Sequence, residues 1–184
     1  MISALLFDLD GTLFDSTEAN VRSYSQAFKK VGVHFSADKY RQGFGLRFAE
    51  MIKQIAPEID SQLVEKIRSA KSELYKQNLG IVKPNVGLLS FLRDAKSYYK
   101  TALVTTASTK NVNSLLDYFL PGESLFDVII CGEDVVKGKP DPECYKTAAS
   151  KLGVDSSQCL VFEDTEVGID AATGAGMVYI RVLM

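Results

Sequence analysis

The chain has no tryptophan, one histidine (His34), three cysteines and only five prolines in 184 residues. A lone histidine with no nucleophile motif beside it excludes Ser-His-Asp and Cys-His hydrolase chemistry. Cys131, Cys144 and Cys159 are widely spaced, and two lie in apolar runs. That pattern argues against a disulfide framework or a zinc site and for buried thiols in a reducing cytosol. Neither sign of charge dominates, with 21 basic against 23 acidic side chains and a formal net charge of −2. No basic excess exists to release counterions, so nucleic acid is not an expected partner. The longest apolar runs, Ala4 to Phe7 and Val128 to Cys131, fall far below the roughly 20 residues of a membrane span. The first eight residues lack the basic flank and cleavage site of a signal peptide and read as a strand. A cytoplasmic protein without a membrane partner is expected. Its composition, 46% hydrophobic and 24% charged, is that of an ordinary globular domain, alone or carrying an insertion.

Five short apolar runs read as strands buried on both faces: Ile2 to Phe7, Thr101 to Thr105, Asp127 to Cys131, Cys159 to Phe162 and Met177 to Val182. Helical patterns separate most of them. Val86, Leu89, Leu92 and Ala95 follow Pro84, and Asp141-Pro142 opens a helix whose apolar face is Tyr145, Ala148, Ala149 and Leu152, with Gly153 as its stop. Alternating strand and helix predicts an α/β fold, a doubly wound parallel sheet. Residues 14–81 show helical spacing only: Val21, Tyr24, Phe28 and Val31, then Phe48 to Ile55, then Leu63, Ile67, Ala70 and Leu74. They are expected to form a helical bundle inserted into a core made of 1–13 and 82–184.

In open parallel sheets, ligands bind at the carboxyl ends of the strands. Four predicted strands end in polar residues: Asp8-Leu9-Asp10-Gly11-Thr12, Thr105-Thr106-Ala107-Ser108, Lys137-Gly138-Lys139-Pro140 after a short loop, and Glu163-Asp164-Thr165. Asp8, Asp10, Glu163 and Asp164 stand against one lysine, Lys139. Two like charges about 4 Å apart repel by roughly 4 kcal/mol at an effective dielectric near 20. The edge therefore needs protonated carboxyls or a cation, and an open all-oxygen site suits Mg²⁺.

This ordered set resembles the four motifs of the haloacid dehalogenase superfamily. The insert after the first motif is similar to the cap of the phosphoglycolate phosphatase and β-phosphoglucomutase branch. The resemblance implies a HAD-like Rossmannoid core with a helical cap. It implies a Mg²⁺-dependent phosphatase for a small phosphorylated metabolite, working through an aspartyl-phosphate on Asp8. A phosphosugar mutase is the alternative. Asp10 would be the acid and base and would lend its main-chain carbonyl to the metal, and Lys139 would balance charge. Thr105 and Thr106 would hold phosphate oxygens, Thr105 being favoured because it ends its strand. Asp164 would bind the metal together with Asp8, and Glu163 directly or through water.

In the cap, the loop between the first two helices is placed near Gly43 to Arg47, where Arg47 could grip an anionic group or belong to an ordinary solvated connection. Asn20 stands where mutase-like members tend to carry histidine, which favours hydrolysis. Asp141 reads as a helix cap, and Thr106 and Ser108 are further capping candidates. A monomer or weak homodimer is expected, with the edge of the fifth strand exposed or covered by a partner subunit.

Overall fold

The computed structural model describes all residues, 1–184. In chain order its elements are β1 (Ala4–Phe7), β2 (Phe14–Asp15), α1 (Thr17–Lys30), α2 (Ala37–Gln42), α3 (Phe48–Ile55), α4 (Ser61–Gln77), β3 (Lys83–Pro84), α5 (Val86–Ala95), β4 (Lys100–Val104), α6 (Thr109–Phe119), β5 (Val128–Ile130), α7 (Glu143–Leu152), β6 (Cys159–Glu163), α8 (Glu166–Gly174) and β7 (Val178–Arg181). Five strands form one parallel sheet in the order β5-β4-β1-β6-β7.

Because side chains alternate along a strand, β1 feeds two cores. Leu5 and Phe7 pack with Leu89 and Leu92 of α5 and Val112 and Leu115 of α6. Ala4 and Leu6 pack with Tyr145, Ala148 and Leu152 of α7 and Ala171 and Ala172 of α8. The all-apolar sequence of β1 is thus a consequence of helices covering both faces. Gly153 ends α7 at a φ of 66°, in the left-handed region. The helix itself starts one residue later than its Asp-Pro signal suggests: Pro142 is the cap, and the Asp141 carboxylate accepts from the Glu143 amide at 3.0 Å.

Two strands are less buried than their composition predicts. Val178, Tyr179 and Ile180 of β7 are exposed, as is Ile129 of β5, because each of these strands lies at an edge of the sheet.

Helices α1 to α4 enclose a third core of their own, built on Tyr24, Phe28, Tyr40, Ile52, Ile67 and Leu74. The chain enters and leaves this insert through a two-residue antiparallel ribbon, in which Phe14 pairs with Pro84 and Asp15 with Lys83. Asn85 reinforces it, donating from its amide to Leu13 and from Nδ2 to the Thr12 carbonyl at 3.1 Å. The short helix α2 corrects the expected placement of the Gly43 to Arg47 loop, which joins the second and third helices of the insert. No helix is long and apolar enough to cross a membrane.

Candidate active site

The C-terminal ends of β1, β4 and β6 lie side by side in the sheet, and the residues just beyond them build the site. Asp8 follows β1, its amide donating to the Phe162 carbonyl at 3.0 Å. The chain then reverses sharply, with the Leu13 and Phe14 amides both returning to the Leu9 carbonyl. Gly11 takes a φ of 93° in this turn, and a Cβ there would collide with the Asp164 carboxylate. Glycine is therefore required twice, for its backbone angle and for the approach of β1's loop to β6's loop. Thr12, in the same turn, donates its hydroxyl to Asp164 at 3.0 Å.

Lys139 is the hub. Its ammonium donates to Asp8 Oδ1 at 2.7 Å, to the Val104 carbonyl at 3.2 Å and to Glu163 Oε1. The lysine is 2% exposed and Glu163 1%. Glu163 is saturated by donors: the Tyr145 hydroxyl joins Lys139 on Oε1, while Oε2 accepts from the Asp164 and Thr165 amides and the Thr165 hydroxyl. Its carboxylate rests against Gly168, where a Cβ would have no room. Burial works against the charge on Lys139, but Asp8 and Glu163 outweigh it and hold the lysine well above its ordinary range. Burial also raises Glu163, and here Lys139 prevails and brings it below the usual carboxylate value.

Asp8 and Asp164 are less fully compensated. Burial holds Asp8 well above the ordinary aspartate range; Lys139 opposes this while Glu163 and Asp164 add to it. Asp164 is pushed up to about 6, by burial first and then by the charge of Glu163. Carboxylate oxygens of Asp8, Glu163 and Asp164 lie within 4.8 Å of one another. Three carboxylates against one ammonium, with two of them raised, fit a hard divalent cation and its preference for oxygen ligands.

Asp10 is not part of that cluster. Its Oδ1 accepts from Ser16 Oγ and from Asn20 Nδ2, the latter at 3.3 Å. Asn20 also donates to Ser16 Oγ at 3.1 Å, so two side chains from the start of the insert fix the carboxylate. Thr105 is buried at the end of β4, and its hydroxyl oxygen accepts from the Ala107 amide at 3.0 Å, leaving the hydroxyl proton free to donate. Ser108 caps α6, accepting from the Asn111 amide.

Asp8, Asp10, Asn20, Thr105 and Thr106 line one cavity of about 90 Å³ between the sheet edge and the insert. Arg47 is not among its lining residues. It stands before α3 and reaches the other way, donating from Nη1 to the Val135 and Val136 carbonyls at 3.1 and 2.8 Å, with its stem pressed on Gly138. The arginine thus fastens the insert to the loop that carries Lys139.

Among the lining residues not expected from the sequence are Lys71 of α4 and Asn111 of α6. The signal for Lys71 was available: it follows Ile67 by four and precedes Leu74 by three, so it occupies the buried stripe of its helix.

A family model described as haloacid dehalogenase-like hydrolase matches residues 5–182. A haloacid dehalogenase-like hydrolase domain-containing protein of Arabidopsis thaliana is 30% identical, the match covering 96% of this chain and 66% of that longer protein. A phosphorylated carbohydrates phosphatase of Thermotoga maritima is 30% identical over 96% of this chain and 82% of its own length. Among solved structures, CbbY from Rhodobacter sphaeroides in complex with xylulose-(1,5)bisphosphate superposes with a TM-score of 0.90 at 28% identity, covering 100% of this chain and 87% of that one.

Proposed function

Since the chain belongs to the haloacid dehalogenase-like hydrolase family, we propose that it is a Mg²⁺-dependent phosphatase of small phosphorylated carbohydrates, acting through a phosphorylated Asp8. The observation that carries this reading is Asp8 itself. It is a buried carboxylate at the end of the central strand, held by Lys139 through one oxygen at 2.7 Å and opening onto the cavity. The phosphatase name of the Thermotoga maritima relative and the sugar bisphosphate in the CbbY structure support the substrate class.

The second oxygen of Asp8 attacks phosphorus, forming the aspartyl–phosphorus bond as the bond to the leaving oxygen breaks. Asp10, steadied by Ser16 and Asn20, supplies the proton that the leaving alkoxide needs. It then takes a proton from water, which attacks the same phosphorus, releases inorganic phosphate and restores the Asp8 carboxylate. Lys139 faces the charge that develops on the transferring group, fixed in place before the reaction by Asp8 and Glu163. The Thr105 hydroxyl, with Thr106 beside it, binds non-bridging oxygens. Asp8, Asp164 and the Asp10 main-chain carbonyl would hold Mg²⁺, whose positive charge would let a phosphate dianion approach a carboxylate. Glu163 serves that site from behind, by holding Lys139.

In this reading residues 14–81 are a cap over the core formed by 1–13 and 82–184, excluding water from the cavity during transfer. Asn20 bonded to Asp10, where a mutase-like member tends to carry histidine, favours hydrolysis over isomerisation. The free, buried cysteines suit a reducing compartment. Phosphate release from p-nitrophenyl phosphate and a panel of sugar phosphates, with and without Mg²⁺, tests the proposal. Mg²⁺-dependent release is expected, and turnover that survives Asp8→Asn contradicts it.

A further inference from the structure

The segment that brings Lys139 to the site also carries Tyr145, in the first turn of α7. Tyr145 is fully buried, and its ring belongs to the apolar core of Ala4, Leu6, Val104 and Ala148. Phenylalanine offers the same ring, so packing alone does not account for the hydroxyl. A buried hydroxyl is costly unless it finds a partner. This one donates to Glu163 Oε1 at 3.1 Å. The face of the same ring lies 5.1 Å from Lys139 Nζ, measured to the centroid, within cation–π reach. Burial holds the phenol well above its ordinary value, so the hydroxyl keeps its proton and remains a donor. Tyr145 thus touches both members of the buried Lys139–Glu163 pair, yet it does not line the cavity.

The ammonium of Lys139 has three protons and gives them to Asp8, the Val104 carbonyl and Glu163. Its place is therefore a balance between two carboxylates, of which only Asp8 faces the cavity. Glu163 Oε1 divides its acceptor capacity between Lys139 and Tyr145. The tyrosine hydrogen bond draws on the negative charge of that oxygen and so weakens its pull on the ammonium. Without the hydroxyl, Lys139 is the one donor left on Oε1, and the ammonium is drawn toward Glu163 and away from Asp8.

We propose that Tyr145 is a positioning residue for phosphoryl transfer: by sharing Glu163 Oε1, its hydroxyl keeps Lys139 on Asp8 and on the group being transferred. The ring does the complementary part, closing the space beneath the ammonium. The effect belongs to the transition state, where charge builds on oxygens that face Lys139, and not to the binding of phosphate in its ground state. This inference rests on the reading of Asp8 as the nucleophile, but one arm of its test requires no turnover.

Tyr145→Phe keeps the ring and removes only the hydroxyl. With p-nitrophenyl phosphate and Mg²⁺, kcat should fall about tenfold while KM changes less than about twofold. In a Glu163→Gln background the charge that the hydroxyl tempers is gone, and the same substitution should change kcat less than about twofold. Vanadate takes the five-coordinate geometry of the transferring group and reads the inference without turnover. By calorimetry with Mg²⁺ present, Tyr145→Phe should weaken vanadate about tenfold and inorganic phosphate less than about twofold. Equal weakening of the two ligands overturns the proposal, as does vanadate that binds as before or not at all. So does an unchanged kcat, or a tenfold loss that persists beside Glu163→Gln. Should Glu163→Gln fail to fold, the vanadate and phosphate comparison decides. A failure of the catalytic reading shows elsewhere, as absence of phosphate release by the unmodified enzyme.

Discussion

Asp8 and Lys139 are 131 residues apart in the chain and joined by a 2.7 Å ion pair, their side chains 10% and 2% exposed. The strand that ends in Asp8 is central to the sheet, whereas Lys139 arrives on the loop between β5 and α7, and Glu163 of β6 grips the lysine from the other side. Replacing Lys139 with methionine leaves two buried carboxylates without their cation. Breaking such a pair costs about 3–5 kcal/mol, and removing a preorganised charge at the transferring group costs about 10²-fold or more in kcat. Urea denaturation and steady-state kinetics check both. A variant with unchanged stability and turnover contradicts the role assigned to Lys139.

Asp164 gives a pH prediction. Its carboxyl, raised from 3.8 to about 6, is neutral below that pH and offers Mg²⁺ no charge. In the metal-free protein the folded state keeps a proton that the unfolded chain has already lost, so this group's contribution to stability declines as pH rises from about 4 to about 6. Mg²⁺ reverses the trend by binding the ionised form. The rise in Tm on adding Mg²⁺ should be large at about pH 7.5 and mostly absent at about pH 5. Equal increments at the two pH values would remove Asp164 from the metal site.

Arg47 bridges the insert and the Lys139 loop through two carbonyls. Arg47→Ala should lower kcat/KM by roughly tenfold or more, the scale of about 1.4 kcal/mol for lost positioning. The Kd of inorganic phosphate should stay unchanged, because the guanidinium does not line the cavity. Phosphate affinity that falls together with kcat/KM would restore Arg47 as a substrate ligand.

Lys71 predicts a stability cost that depends on pH. Its value of about 8 in the fold against 10.5 in the unfolded chain is a cost of about 3 kcal/mol below pH 8. The folded state binds fewer protons between these values, so the cost fades as pH rises from about 8 to about 10.5. Lys71→Met should therefore be more stable than the unmodified protein at neutral pH, with the margin shrinking in alkali. A destabilised Lys71→Met at neutral pH contradicts the assignment of an uncompensated charge.

Much of the site was legible in one dimension, for a physical reason. A strand covered by helices on both faces must be an apolar run, so the polar residue that ends it stands out, as Asp8 does after Ala4-Leu5-Leu6-Phe7. The same contrast marked Thr105 and Asp164. Helix α2 escaped because its six residues bury only Tyr40, too few for a period to show. The ribbon of Phe14–Asp15 with Lys83–Pro84 is two residues long and leaves no pattern at all. β7 looked buried because edge strands draw on the same β-branched and aromatic residues as central ones. The partners of Arg47 lie 88 and 89 residues away, and nothing local separates a carbonyl-bound arginine from a substrate-bound one. Lys71 carries no apolar signal of its own, although a charge inside an apolar helix stripe is the informative residue.

The most direct measurement is to trap the covalent state. With Asp10→Asn and Mg²⁺, the proton for the second half-reaction has no acceptor, so a reactive donor such as p-nitrophenyl phosphate should leave the phosphoryl group on the enzyme. Peptide mass spectrometry after acid quench is expected to find one phosphoryl group on the peptide Met1–Lys29, at Asp8, and none when Asp8→Asn is added. A phosphoryl group on another residue, or turnover with no label at Asp8 at any time point, would contradict the account.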